Sequence, residues 1–112
     1  MGKKQSTRTA AYELYHSCDE VFDAAMDYAR KGMSFKIQHA FLTRHYEHVH
    51  TFHLPVGESE DNLEQVFYKS QNLERSWRGA NQCRSSSVGD VIKVGKEYWI
   101  VAREGFILGW SE

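Results

Sequence analysis

Apolar and polar residues alternate from Thr9 to His16, with Ala11, Glu13 and Tyr15 on one face and Tyr12, Leu14 and His16 on the other. That period of two predicts a β-strand. The period then lengthens: Val21, Phe22, Ala25, Met26 and Ala29 recur at helical spacing and predict a helix over residues 18–31. Ser17 would be its N-cap, with Glu20 completing a capping box, and Gly32 its C-cap. Asp19, Glu20 and Asp23 near its start and Arg30 and Lys31 at its end complement the helix dipole. Ser34 to Arg44, carrying Phe35, Ile37 and Phe41, predicts a second strand. Tyr46 to Leu54 predicts a third, stopped by Pro55-Val56-Gly57.

A second helix is predicted from Ser59, led by Glu60 and Asp61, with a buried stripe of Leu63, Val66, Phe67 and Ser70. Leu73 to Arg84 is a polar connection containing Trp77, Gly79 and Cys83. Beyond it, two alternating runs around Gly95-Lys96 read as a β-hairpin, and Phe106 to Trp110 closes the apolar pattern. The order β-α-β-β-α-β-β predicts an α+β domain, a mainly antiparallel sheet with both helices on one face. Residues 1–8 read as a flexible N-terminus ahead of a single domain over 9–112.

The chain has 112 residues, and 41% apolar and 13% aromatic content is enough for one packed core. Fourteen Lys and Arg against 15 Asp and Glu leave a net charge of −1, so only a local patch could attract nucleic acid. Cys18 and Cys83 form no Cys-x-x-Cys pair, which suits a reduced cytoplasmic protein. The basic start, Met1 to Arg8, is not followed by an apolar run of the kind a secretory signal needs, although Met1-Gly2 with Ser6 fits a myristoylation pattern. No stretch reaches the ~18 apolar residues of a membrane span, so no membrane partner is expected.

Candidate chemistry is sparse. His45, His48, His50 and His53 follow one another closely, with His39 and His16 upstream. On a regular strand His48 and His50 share a face and could hold a metal with a third ligand such as Glu13; equally, they are ordinary residues of a half-wet strand. Ser85-Ser86-Ser87 lacks the Gly-x-Ser-x-Gly frame of a nucleophile elbow and reads as serines that satisfy backbone groups. No catalytic residue and no cofactor is assigned. Arg75, Trp77, Arg78 and Arg84 in the connection, with Lys93 and Lys96 on the hairpin, interleave base and aromatic groups, as a protein or nucleic-acid interface would.

From Asn62 to Phe106 the chain resembles the closing half of the YodL-like domain, found in small proteins and modules of phages, plasmids and other mobile elements. The matching residues are Leu63-Glu64-Gln65-Val66-Phe67, Asn72, Arg84-Ser85-Ser86-Ser87-Val88-Gly89-Asp90-Val91, Tyr98 and Gly105-Phe106. The resemblance implies an accessory protein with no enzymatic residues to carry over. A host or element protein is then the expected partner, and nucleic acid the alternative; monomer and dimer both stay open. In the matched stretch Ser87 and Asp90 are placed to fix a turn through backbone N–H groups.

Overall fold

β1 (Thr9–Ser17) is the first of the described strands and lies second in the sheet, between β2 (Tyr46–Pro55) and β3 (Val91–Val94). β4 (Glu97–Val101) and β5 (Phe106–Ser111) extend the sheet beyond β3, in the order β2-β1-β3-β4-β5, with every neighbour antiparallel. Among the described residues three helices accompany the sheet: α1 (Phe22–Lys31), α2 (Phe35–His45) and α3 (Ser59–Lys69). The fold is α+β, taken from a computed structural model that describes residues 8–57, 59–72 and 84–112. Most of the expected flexible N-terminus thus lies outside the described residues; Arg8 is tied down, its carbonyl accepting from the Val56 N–H at 3.0 Å.

The order differs from the predicted one because residues 34–44 do not form a strand. Ser34 caps α2, its hydroxyl accepting from the Ile37 N–H, and Gln38 and Leu42 turn inward one helical turn apart. A polar residue on the buried face masks the helical period there. Gln38 is 2% exposed and donates its amide to the Met33 carbonyl. α1 also starts later than predicted, at Phe22, with Val21 rather than Ser17 as N-cap. Ser17 instead ends β1, and its N–H and hydroxyl both donate to Asp90.

The helices lie on both faces of the sheet rather than one. α3 and the face bearing Tyr12, Leu14, Ile92 and Val101 form one core with Val49, Leu54, Leu63 and Val66. α1 and α2 cover the other face, where Val21, Ala25 and Leu42 meet Tyr46, Val91, Tyr98, Ile100 and Trp110. The cause is in the strands. β4 reads Tyr98-Trp99-Ile100-Val101, apolar on both sides, and a strand apolar on both sides must be covered twice. Asn62 pins α3 to the sheet, donating to the Tyr12 hydroxyl and the Pro55 carbonyl.

Candidate functional site

Asp90 is fully buried, at the head of β3. A carboxylate there must be neutralised and hydrogen-bonded, because desolvation of a bare charge costs several kcal/mol. Five donor contacts meet it. Oδ1 accepts from Ser17 N–H at 2.9 Å, Ser17 Oγ at 3.3 Å and Arg84 Nη2 at 2.7 Å. Oδ2 accepts from Arg84 Nη1 at 2.8 Å and Ser87 N–H at 2.8 Å. The arginine is therefore bidentate, and it also donates to the Ser17 and Ser85 carbonyls. This latch joins the end of β1 to the entry of β3, and it closes the turn Ser87-Val88-Gly89-Asp90, in which Asp90 N–H donates to Ser87 O at 3.1 Å.

Glycine is required in that turn. Gly89 has φ +98°, and a Cβ added there would lie 3.3 Å from Phe22 Cβ. Its carbonyl accepts from the Tyr46 hydroxyl at 2.6 Å. Burial, and then the neighbouring Asp90 charge, push the Tyr46 pKa well above its ordinary value.

Beside the latch runs a buried polar chain. The His16 Nε2 lies 2.9 Å from Ser86 Oγ, and Ser70 Oγ donates to Ser86 Oγ at 2.7 Å. His16, Ser70 and Ser86 are all buried. Serine, histidine and aspartate together suggest a catalytic triad, but the geometry is wrong for one. The Asp90 Oδ2, at 3.7 Å, approaches the same Nε2 as the serine does. A triad needs the serine and the carboxylate on opposite ring nitrogens. Ser86, 4% exposed, also has no route to a substrate. These residues serve the fold. His16 was visible in the sequence on the apolar face with Tyr12 and Leu14, a sign of burial; its link to Ser86, 70 residues away, was not.

Of the residues the sequence singled out, Arg84 is committed to Asp90. Lys93 faces Glu13 at 3.8 Å and Glu112 at 3.9 Å and lies over the Tyr98 ring. Lys96 sits exposed in the β3–β4 turn, its carbonyl accepting from Glu112 N–H. Arg75, Trp77, Arg78 and Cys83 lie outside the described residues. His48 and His50 do not share a face. A β-bulge at Val49 sets His48 opposite Tyr15 and His50 opposite Leu14, whose side chains enter different cores. His48 meets the Tyr15 ring edge-on and hydrogen-bonds Thr51, while His50 meets Phe52. Among the described residues no three His, Cys, Asp or Glu side chains are grouped as a metal site would need.

Two concave surfaces flank the latch. A cleft of about 570 Å³ opens between the latch and the start of α1, lined by residues that include Ser17, Cys18, Asp19, Arg84, Val88 and Arg103. A second groove, about 380 Å³, is more apolar: Phe67, Val88, Val101 and Phe106 line it, with Glu64 and Arg103. Val88, 38% exposed, stands between them and lines both. No helix among the described residues is long and apolar enough to cross a membrane. No family model, curated protein or solved structure matches the chain.

Proposed function

We propose that the chain is a non-enzymatic protein-interaction module of a phage or other mobile element, working in the cytoplasm on a host or element protein. One observation carries this reading. Asp90 and Arg84 are consumed in a latch, with His16, Ser70 and Ser86 tied up in the buried chain beside it, and the latch turn presents an apolar side chain, Val88, at the lip of an open apolar groove. The likeness to the YodL-like domain supports the same surface, since Phe67, Val88 and Phe106 belong to the matched residues and line that groove. An apolar side chain of the bound protein would seat between Phe67 and Phe106. Nucleic acid ranks second, because Lys93 and Arg84 already have carboxylate partners.

The test uses the tagged full-length chain and its Val88→Asp variant on nuclease-treated host lysate. One stoichiometric protein held by the wild type and lost from an equally stable variant is the expected result. Capture that disappears with nuclease, or a turnover abolished by substituting His16 or Cys18, overturns the reading.

A further inference from the structure

The two edges of the sheet are built differently. β2 is a guarded edge: the bulge at Val49 bends it, Glu47, His48, His50 and His53 stand exposed along it, and Pro55 ends it. β5 also carries a bulge, at Gly109, but no polar side chains guard it before Ser111. Phe106 to Ser111 contains no charge and no proline, and Ile107 and Leu108 are 37% and 43% exposed. An apolar edge with free main-chain groups is a template for another strand.

The free groups can be identified. Val101 uses its main chain toward β3: its N–H donates to Asp90 O, and its carbonyl accepts from Gly89 N–H, both at 2.8 Å. Alternation along an antiparallel ladder then turns Ile100 toward β5, so that Ile107, its partner in register, is the hydrogen-bonded one. The Ala102 N–H to Gly105 O bond of the β4–β5 turn fits the same phase. The main-chain N–H and C=O of Phe106 and Leu108 consequently point away from β4. Beyond Leu108 the ladder is interrupted by the bulge at Gly109.

We infer that β5 pairs with β5 of a second copy of this chain, antiparallel, about a two-fold axis through Ile107. A two-fold axis places one residue opposite itself. Centred on Ile107, with 106 and 108 facing outward, the axis lets Phe106 of each copy exchange main-chain hydrogen bonds with Leu108 of the other before the bulge at Gly109 intervenes. Side chains agree with this register. Phe106 and Leu108 pair with Val101 and Trp99 of β4, so both lie on the α3 side of the sheet and pack together across the junction. Charge agrees as well. The β4–β5 turn carries Arg103, which has no ion pair among the described residues, and antiparallel pairing brings it to the Ser111–Glu112 end of the second copy, where Glu112 would be shared with Lys93 and the Tyr98 hydroxyl of its own chain. The two five-stranded sheets become one of ten strands, and the groove beside Phe106 occurs twice in the assembly. This inference stands apart from the protein-binding role, since it rests on the β5 edge rather than on Val88.

Sedimentation equilibrium of the full chain, with Ile107→Lys and Leu108→Pro variants, tests it. The wild type should dimerise reversibly. Ile107→Lys sets two like charges opposite each other and should weaken the dimer about tenfold or more. Leu108→Pro removes an outward N–H without touching the β4 ladder and should act likewise. In a Cys18→Ser, Cys83→Ser background, Ile107→Cys should oxidise to a symmetric disulfide, because facing residues of a non-hydrogen-bonded pair stand about 4.5 Å apart at Cα. Leu108→Cys, opposite Phe106, should cross-link far less. A chain that stays monomeric at high concentration overturns the inference, and so does equal cross-linking from both cysteines. Loss of partner capture by Val88→Asp with the dimer intact would separate the two readings.

Discussion

Replacing Asp90 by Asn keeps the shape of the side chain and removes only its charge and one acceptor. Oδ1 has three donor contacts and Oδ2 two, so whichever way the amide sits, at least two donors face an NH2 group. One of them is a main-chain N–H, of Ser87 or Ser17, and another is an arginine N–H. A buried unsatisfied N–H costs about 1–3 kcal/mol, and a hydrogen bond to a charged group contributes about 1.5–3 kcal/mol. The Arg84 side chain is 42% exposed, so water replaces part of the second loss, and it belongs at the low end of its range. The sum is about 3 kcal/mol, or about 12 °C in Tm for a domain of this size. Thermal and urea unfolding of Asp90→Asn, followed by circular dichroism, measure it. Ser87→Ala is the control: it keeps the main-chain donor, loses only a 3.3 Å contact to Arg84, and should cost less than about 1 kcal/mol. If Asp90→Asn melts within a few degrees of the wild type, or no lower than Ser87→Ala, the latch does not hold the fold.

Other outcomes follow from the same geometry. Gly89→Ala combines a φ of +98° with a contact to Phe22 and should destabilise by about 1–3 kcal/mol, measurable by urea unfolding. The pKa values of Tyr46 and Tyr98 are both raised, chiefly by burial and then by Asp90 and Glu112 respectively. The unfolded chain loses phenol protons near pH 10 while the folded one keeps these two, so their contribution is complete below pH 10 and declines above it. Absorbance at 295 nm should show them ionising only together with alkaline unfolding. Tyr46→Phe leaves the Gly89 carbonyl without its hydroxyl donor and should cost about 1–2 kcal/mol, again read from the melt. With His48 and His50 on opposite faces, His48→Ala and His50→Ala should each leave a cobalt(II) titration unchanged; a single stoichiometric site that requires both histidines would contradict the bulge.

Much of the fold was legible where one period dominates. β1, most of α1, β2, α3 and the hairpin keep their predicted places because each carries a recognisable stripe or alternation, with Gly32, Pro55, Gly57 and Gly95 marking several of the ends. α2 was not legible, since Gln38 occupies an inward position and Phe35, Ile37 and Phe41 suit a strand equally well. Ser34 was the available signal, a capping residue with its partner N–H three positions on. The arrangement on two faces could have been read from Tyr98-Trp99-Ile100-Val101. The turn chemistry of Asp90 was legible locally, through Ser87. Its bond to Ser17 spans 73 residues, and no local pattern encodes such a contact. The bulge at Val49 is equally silent in sequence, because one extra residue in a ladder is set by the partner strand, and it reverses the direction in which His50 points.

The place of β1 also constrains how the chain is made. Of the described strands it is synthesised first, yet it has neighbours on both sides, β2 ending at residue 55 and β3 ending at residue 94. Translation proceeds at about 5–20 residues per second, so Tyr12 and Leu14 wait several seconds with one flank unpaired before Val91 to Val94 arrive. During that interval the nascent strand is an apolar ribbon whose long-range partner does not yet exist. Arg84 and Asp90, closing on Ser17, seal the early part of the chain to a later one, and ribosome-bound chains halted before residue 90 should remain protease-sensitive throughout.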